Sequence, residues 1–461
     1  MTRLLLLLFF ALPSLSAQDG SVDLTTLHNY ANQTKPAYIT RDNTPAANPI
    51  TNIGATLGRI LFYDKRLSRN NTISCSSCHQ QDRAFGDSDA ASTGVNGTTG
   101  RHSMRLINAR FANESRFFWD KRAASAEEQA TQPIQDHIEM GFSGTNGDPT
   151  LTDLIARLSA IPEYNVLFSA VYGTPVISED RLQLALAQFV RSIQSFDSKY
   201  DTGRALAPND GAPFTNFTAS ENAGKQLFLA PPPQGGAGCA ACHRPPEFDI
   251  DPNTRNNGIV SSLGGGTDTT NTKSPSLRDL VSSNGTPHGG FMHDASLTSL
   301  SAVVAHYNAI PAIVPNLDPR LTRPAGPPGP AGDQPQNLNL TAAEQADLVA
   351  FLETLTGTNV YADPKWSDPF TATGSLNLII LPTALMTITF SGENEARQAT
   401  ISITAVPNYT YQFQSSPTML DGTWTTVNIT ADANGLLEYT LAAPESQGKQ
   451  FYRYAYQTAS P

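Results

Sequence analysis

Two short cysteine motifs carry the strongest chemical signal in this sequence. Residues 75–79 read CSSCH and residues 239–243 read CAACH, and together these copies use the four cysteines of the chain. Two thiols three residues apart can bond the vinyl groups of one porphyrin, and the histidine that follows can ligate its iron. A lone C-x-x-C would also suit a zinc or redox half-site, but two copies followed by histidine predict two covalent haems c. The predicted attachment and iron-binding residues are Cys75, Cys78, His79, Cys239, Cys242 and His243.

The composition describes an acidic, loop-rich chain. Its 461 residues include 30 Lys and Arg against 41 Asp and Glu, a formal net charge of −11, together with 33 Gly and 33 Pro. An acidic excess disfavours binding to nucleic acid or to an anionic membrane surface. The aliphatic and aromatic content is too high for a disordered chain. We therefore predict a folded protein of about three domains.

The N-terminus has the pattern of a cleaved secretory signal peptide. Arg3 precedes an unbroken apolar run over residues 4–12, and Ser16 and Ala17 supply small residues for cleavage. This run is too short to cross a bilayer as a helix, and no later run approaches the required length of about 20 residues. We predict that residues 1–17 are removed and that the mature protein is periplasmic or otherwise exported, with no membrane span.

A polar arm and a helical region follow the predicted signal peptide. Residues 18–50 are polar and turn-rich, which indicates an N-terminal arm. Beyond the arm the pattern is mainly helical, and capping-box sequences at Thr218 and Thr341 mark two helix starts. Residues 51–201 and 202–360 each contain one cysteine motif. The fold class is therefore predicted as mainly α, with two cytochrome c-like haem domains.

The composition changes at about Gly374. Apolar and polar residues then alternate in several short runs, and Asn434-Gly435 is a two-residue hairpin signal. All eight histidines precede Tyr307, so the tail lacks the usual iron ligands. We predict a C-terminal all-β sandwich over residues 374–461. A role in attachment or partner binding and a purely stabilising role are equally open.

Longer segments around the motifs form a recognisable set. Residues 58–68 read GRILFYDKRLS, 118–122 read FWDKR, 274–278 read SPSLR and 292–294 read MHD. As a set these segments resemble the bacterial di-haem cytochrome c peroxidase family, which includes the methylamine-utilisation protein MauG. The resemblance covers residues 50–358 and leaves the β-rich tail outside.

The resemblance implies a division of labour between the haems. The haem on His79 would react with hydrogen peroxide, and the haem on His243 would collect electrons from a small donor protein, a cytochrome c or a cupredoxin. Trp119 matches the family's tryptophan between the haems and would relay electrons. Gln129 and Glu139 match the family's distal pair. Glu139 would move the proton, and Gln129 would orient peroxide by hydrogen bonds. The family also leaves a homodimer open.

One departure from the family concerns the first haem. Members that need activation by reduction carry a histidine in the loop after this haem, but residues 92–100 contain none. This predicts that peroxide reacts without prior reduction. His102 stands where the family has a calcium-binding asparagine, and calcium prefers oxygen ligands, so calcium binding is disfavoured. His137 lies two residues from Glu139 and could compete for its role, although we interpret it as a loop residue.

A second departure concerns the C-terminal haem. Family peroxidases place a methionine ligand fourteen residues beyond the histidine of residues 292–294, and here that position is Tyr307. MauG-like members have a tyrosine there. Phenolate favours Fe(III) and lowers the reduction potential, whereas methionine raises it. Tyr307 is the predicted ligand, with Met292 and His306 as rivals.

Three functions are compatible with these residues. The leading prediction is an exported peroxidase that reduces hydrogen peroxide to water. The alternative, favoured by Tyr307, is a MauG-like oxidase that acts on a protein or organic substrate. A third reading is a di-haem electron carrier, which would not need Gln129, Glu139 or an open distal side.

Overall fold

The structure is a computed structural model that describes residues 20–113, 115–323, 334–380, 386–420, 423–443 and 450–456. The predicted signal peptide lies outside these ranges. Within them, every helix is too short or too polar to cross a membrane.

Helices dominate the described chain up to Glu353. Side chains cap their starts as the sequence predicts. The Thr218 hydroxyl accepts from the Glu221 amide at 3.2 Å. The Thr341 hydroxyl accepts from the Glu344 amide at 3.3 Å. Each cap satisfies an amide that the helix leaves unpaired and so fixes where the helix begins. The helices are α1 (Asn52–Tyr63), α2 (Cys75–Cys78), α3 (Ala126–Thr131), α4 (Leu151–Ser159), α5 (Pro162–Tyr172), α6 (Glu179–Ser192), α7 (Lys199–Leu206), α8 (Ala219–Leu229), α9 (Leu300–Asn308) and α10 (Ala342–Glu353).

Strands are short in the helical region and longer in the tail. They are β1 (Ser21–Asp23), β2 (Thr93–Gly94), β3 (Gly97–Thr98), β4 (His243–Arg244), β5 (Asp249–Ile250), β6 (Thr322–Arg323), β7 (Gln334–Pro335), β8 (Asn377–Ile379), β9 (Thr387–Ser391), β10 (Gln398–Thr404), β11 (Thr410–Ser416), β12 (Thr425–Thr430), β13 (Leu436–Ala442) and β14 (Phe451–Tyr456). β2 pairs with β3, β4 with β5 and β6 with β7, each antiparallel, while β1 pairs with β8 in parallel.

Each helical unit is built on a close helix crossing at a glycine. α1 packs on α6 at Gly58, where an added Cβ would lie 2.0 Å from the Ala185 carbonyl oxygen. α8 packs on α10 at Gly224, where a Cβ would lie 1.9 Å from the Asp347 carbonyl oxygen. A side chain at either position would force the helices apart, because interaxial distance depends on the residues at the contact.

Two apolar cores fill the helical region, and they divide the chain differently from the predicted boundaries. Tyr200, inside the first predicted domain, packs in the second core. Val360, Trp366 and Phe370, at or beyond the end of the second predicted domain, pack in the first core. α7 therefore belongs with the second unit, and the chain returns to the first unit after about residue 355. Apolar spacing shows that a residue is buried but not which core receives it.

The N-terminal arm is tied to the chain that leaves the helical region. Val22 of β1 pairs with Leu378 of β8. Tyr30 is fully buried, and its hydroxyl donates to the Lys365 carbonyl oxygen. The arm therefore covers the first core together with the segment that precedes the tail.

The tail contains two three-stranded antiparallel sheets, with orders β13-β10-β9 and β12-β11-β14. The sheets meet through their side chains: the ring centroids of Phe413 in β11 and Tyr439 in β13 lie 5.0 Å apart. Val406 is buried in the first helical core, and the Asn408 amide donates to the Ala170 carbonyl oxygen at 3.1 Å. The tail thus contacts the unit that carries the first cysteine motif.

Two expectations for the tail are corrected. Asn434-Gly435 does not close a hairpin, because β12 and β13 on either side belong to different sheets. The turn instead carries the chain from one sheet to the other, and the Asp432 carboxylate holds it by accepting from the Asn434 and Leu436 amides at 2.8 Å each. β9 alternates in sequence, but all five of its residues are exposed, so neither of its faces contributes to a core.

Candidate functional site

The first cysteine motif occupies the single helical turn α2. The Ser74 amide donates to the Ser77 hydroxyl at 3.0 Å and fixes the start of this turn. The His79 amide donates to the Cys75 carbonyl oxygen at 3.0 Å. Nδ1 of His79 lies 3.0 Å from the Phe85 carbonyl oxygen. A histidine held through Nδ1 presents Nε2 to a metal.

The second motif lies on a 3-10 turn, Cys239–Ala241, and His243 begins β4. The Cys242 amide donates to the Cys239 carbonyl oxygen at 3.1 Å. Burial raises the pKa of Cys239 to about 12 and that of Cys242 to about 11. Burial lowers the pKa of His243 to about 4, so its imidazole is neutral and able to ligate a metal at pH 7.

Each motif borders a cavity. Cys75, Cys78 and His79 line the first cavity, and Cys239 and His243 line the second. The four cysteines form no disulfide. A pair of reduced thiols beside a half-buried imidazole at the wall of a largely apolar cavity is the donor set that a haem c requires, so the residues fit this group.

Trp119, Gln129 and Glu139 share the wall of the first cavity with the CSSCH motif. Gln129 lies on α3, and Glu139 lies on the loop between α3 and α4. Burial and the Asp136 carboxylate raise the pKa of Glu139 to about 7, against the opposing charge of Arg122. A carboxyl group with a pKa near neutrality can both accept and return a proton.

A hairpin of the loop after the first motif holds the backbone of Glu139. The Val95 amide, between β2 and β3, donates to the Glu139 carbonyl oxygen at 3.0 Å. The Glu139 amide donates to the Asp136 carboxylate at 2.9 Å. His137 is directed elsewhere: its Nδ1 lies 2.7 Å from the Asp148 carboxylate. The geometry thus favours Glu139 over His137 as the group that faces the cavity.

Trp119 lies in the wall of both cavities. Its indole N–H donates to the His102 carbonyl oxygen at 2.8 Å. The amides of Thr272 and Lys273, from the second unit, donate to its carbonyl oxygen at 2.8 and 3.0 Å. Its ring centroid is 6.2 Å from that of His293. The indole is therefore fixed between the two units.

The ring of His102 is occupied by backbone contacts. Its Nδ1 lies 3.0 Å from the Asp89 carbonyl oxygen and 3.3 Å from that of Ala90. Its amide donates to the His293 carbonyl oxygen at 2.7 Å. Among the described residues, no three His, Cys, Asp or Glu side chains cluster as a metal site. His102 lines both cavities, and these contacts fix its ring through Nδ1.

The wall of the second cavity contains two of the three rival ligands. Met292 and Tyr307 lie in its wall with His243. Nε2 of His306 is instead 2.9 Å from the Asn257 carbonyl oxygen. The Asn257 amide group lies 3.1 Å from the Met292 sulfur. Burial raises the pKa of Tyr307 above its ordinary value, and a hydrogen bond from Asn257 opposes this only in part. Tyr307 and Met292 therefore stay ligand candidates, whereas the His306 ring is already engaged by the Asn257 carbonyl oxygen.

Comparison with known proteins fits this arrangement. The di-haem cytochrome c peroxidase family matches residues 53–206. The methylamine utilization protein MauG of Methylophilus methylotrophus is 31% identical over 323 residues, which cover 68% of this chain and 85% of that protein. This chain belongs to the di-haem cytochrome c peroxidase and MauG family. The family predicted from the sequence is confirmed, and with it the class of enzyme, a peroxidase-type oxidoreductase.

Two further relatives support the assignment. The cytochrome-c peroxidase IdrP1 of Denitromonas iodatirespirans is 30% identical over 362 residues, covering 70% of this chain and 86% of that protein. The crystal structure of a MauG-like protein associated with microbial copper homeostasis matches with a TM-score of 0.56 and 29% identity, over 73% of this chain and 99% of that chain. The helical region therefore has the fold of this family, and the match of about seven-tenths of the chain leaves room for the additional tail.

Sequence reasoning missed an arginine that joins the two units of this family member. Arg101 lines the first cavity and donates to Asp120 at 2.8 Å and to Asp268 at 2.7 Å. It also donates to the Thr270 hydroxyl at 2.7 Å. Asp268 lies 167 residues away in the chain. No local pattern marks such a pair. Asn257 was missed for the same reason, since its partner His306 is 49 residues away.

Proposed function

We propose that this protein reduces hydrogen peroxide to water at the first cavity, with electrons that a small redox protein delivers at the second. The observation that carries the proposal is the wall of the first cavity, which Glu139 and Gln129 share with the CSSCH motif. Peroxide reduction consumes two electrons and two protons for each pair of water molecules formed. It needs a proton carrier and hydrogen-bond donors beside the reacting oxygens.

The protein's own residues divide this work. Glu139 accepts the proton of the bound peroxide and returns it to the departing oxygen, which its pKa of about 7 allows near neutral pH. The Gln129 amide orients the peroxide through hydrogen bonds. Trp119, fixed between the units by the His102 carbonyl oxygen, passes electrons from the second cavity to the first.

Two covalent haems c complete the sites. Cys75, Cys78 and His79 would hold one, and Cys239, Cys242 and His243 the other. When bound, each haem supplies an iron that exchanges single electrons. Tyr307 is proposed as the second protein ligand at the C-terminal site, with Met292 as its rival. Calcium binding near His102 stays a disfavoured prediction.

The domain roles follow from these sites. Residues 51–201 would form the peroxidatic domain and residues 202–360 the electron-accepting domain, with α7 packed in the latter. The tail, residues 374–461, would be a β-sandwich accessory domain, and residues 18–50 an arm. A signal peptide over residues 1–17 would export the protein to the periplasm, where a cytochrome c or cupredoxin can serve as donor. A homodimer stays a prediction.

One observation favours a second candidate. Tyr307 lies in the wall of the second cavity. A phenolate ligand stabilises oxidised iron. That would suit a MauG-like oxidase, which stores oxidising equivalents and withdraws electrons from a protein or organic substrate. The relatives include proteins named MauG as well as cytochrome c peroxidases.

Spectroscopy followed by turnover separates the candidates. We expect the ferric holoprotein to contain a high-spin or water-ligated haem and to react with stoichiometric peroxide. A reduced cytochrome c or cupredoxin should then be oxidised, two per peroxide consumed. Reaction with peroxide but no donor oxidation, together with oxidation of an added phenol or quinol, would favour the oxidase. Two low-spin haems and no peroxide reaction would identify an electron carrier and overturn the proposal.

A further inference from the structure

Four polar residues that do not line the first cavity form a ring of contacts next to the segment that carries Glu139. Nη1 of Arg69 donates to Oδ1 of Asp148 at 2.7 Å, and Nδ1 of His137 lies 2.7 Å from Oδ2 of the same carboxylate. The Asn96 amide group donates to the His137 carbonyl oxygen at 2.6 Å, and its oxygen accepts from Arg69. We name Arg69, Asn96, His137 and Asp148 the distal clamp.

Asp148 is the centre of the distal clamp. It lies near the surface, but its side chain has no exposed area because its partners cover it. Besides Arg69 and His137, the Ser143 hydroxyl donates to Oδ2 at 2.7 Å. Hydrogen bonds to a carboxylate from a charged donor are about twice as strong as neutral ones. The carboxylate therefore joins Arg69, which is 79 residues away in the chain, to His137 and Ser143, which are 11 and 5 residues away.

The backbone next to the clamp leaves Glu139 little freedom. The Val95 and Asn96 amides donate to the carbonyl oxygens of Glu139 and Ile138 at 3.0 and 3.1 Å. From the other side, the Arg69 amide donates to the Met140 carbonyl oxygen at 2.9 Å. The β2–β3 hairpin and Arg69 thus both form hydrogen bonds with the backbone of residues 138–140.

The fit of the hairpin on this backbone is close. At Gly94 an added Cβ would lie only 2.1 Å from the Ile138 carbonyl oxygen. Any side chain at this position would lift the hairpin from the Glu139 segment. The loop in question, residues 92–100, contains no histidine that could reach the iron. In its place it contributes Asn96 to the clamp.

We propose that the distal clamp positions Glu139 in the wall of the first cavity by holding the β2–β3 hairpin and residues 138–140 together. The four residues are positioning residues, because they act on Glu139 through the backbone and do not line the reaction site themselves. The inference rests on the proposed role of Glu139.

The test uses the full-length holoprotein with Asp148→Asn, which keeps the size of the side chain and removes its charge. The matched control is Asp64→Asn. Asp64 is likewise buried, with 3% of its side chain exposed, and it pairs with Arg66 at 2.8 Å, but away from the cavity wall. Three quantities are measured in each variant: haem content, hydrogen exchange of the Val95 and Asn96 amides, and the rate of the ferric protein with peroxide.

We expect Asp148→Asn to retain both haems, to speed exchange at Val95 and Asn96, and to slow the peroxide reaction between about ten- and a hundredfold, since displacement of a reacting group by about 1 Å has effects of this size. Asp64→Asn should change neither exchange nor rate. In a Glu139→Ala background the clamp substitution should cause no further loss, because both changes remove the same function.

Two results would contradict the proposed role of the distal clamp. One is unchanged exchange at Val95 and Asn96 in Asp148→Asn. The other is a rate loss that adds in full to that of Glu139→Ala. If Asp148→Asn does not fold, Asn96→Ala removes the side-chain link alone and should give the same pattern. If Glu139→Ala reacts normally, the proposed function fails instead, and the exchange data still decide whether the clamp holds the hairpin.

Discussion

The two cysteine motifs are nearly the same in sequence, but the spaces opposite them differ. The first cavity measures about 660 Å³, and Glu139 and Gln129 stand in its wall. The second measures about 130 Å³, and Met292 and Tyr307 stand in its wall. An acid and an amide leave room and proton partners for a small molecule, whereas a sulfur and a phenol can occupy an iron themselves. The residues across the cavity, and not the attachment motif, therefore set what each site can do.

The largest effect is expected when one of the two haem-attachment motifs is removed at a time. Cys75→Ala with Cys78→Ala, and Cys239→Ala with Cys242→Ala, should each leave one haem per chain, because each motif binds its own haem. The first pair should abolish the peroxide reaction, and the second should abolish turnover with a donor protein. Mass spectrometry and the pyridine haemochrome assay count the haems. A wild-type protein with a single haem would contradict the two-site reading.

The next test addresses the open side of the first cavity. Glu139→Ala should lower the rate of the peroxide reaction by about 10²–10⁴-fold, the usual contribution of a general acid–base group, while both haems remain. Stopped-flow absorbance measures the rate. A decrease in this rate of less than about tenfold would indicate that Glu139 has a structural and not a catalytic role.

The ligand candidates in the wall of the second cavity can be examined in the same way. Tyr307→Phe removes the phenolate, so the potential of the C-terminal haem should rise and its ferric spectrum should change. His306→Ala is the control, because His306 is directed at the Asn257 carbonyl oxygen and should leave both unchanged. A redox titration measures the potential. If Met292→Leu alters the spectrum and Tyr307→Phe does not, methionine is the ligand.

A smaller effect is expected from pH. The pKa of Glu139 is raised from 4.5 to about 7, mainly by burial. If the carboxylate is the base, the peroxide rate should rise with pH through about 7 and level off above it. The folded protein also binds this proton more tightly than the unfolded chain, so the Glu139 contribution to stability falls between about pH 4.5 and 7. Glu139→Gln should remove this step from the rate profile, and a step that persists would assign it to another group.

The sequence predicted well those features that a short segment encodes by itself. The helix caps at Thr218 and Thr341 are of this kind, whereas haem attachment at the two cysteine motifs stays a prediction. Apolar spacing predicts a helix over residues 179–196, and α6 ends at Ser192. It ends there because the Ile193 carbonyl oxygen accepts from the Asn108 amide at 3.1 Å, a contact that no local pattern can indicate.

Features that depend on distant partners escaped prediction. Arg69 and Asp148 are 79 residues apart, so neither suggested a clamp behind Glu139. Asn434-Gly435 correctly indicates a turn, but turn residues specify local backbone and not which sheet the next strand joins. The candidate site residues, by contrast, came from family resemblance, which carries long-range information that a single sequence lacks.

The smallest effect should come from the tail, which has neither histidine nor cysteine. Sequence alone suggests a cut near residue 372, but that cut also removes β8, which pairs with the N-terminal arm. Deletion of residues 386–461 retains β8 and should leave haem content and peroxide rate unchanged, with a slightly lower melting temperature because Val406 no longer fills the first core. Deletion of residues 372–461 should lower the melting temperature further. Loss of a haem from the shorter deletion would show that the tail forms part of the haem-binding unit.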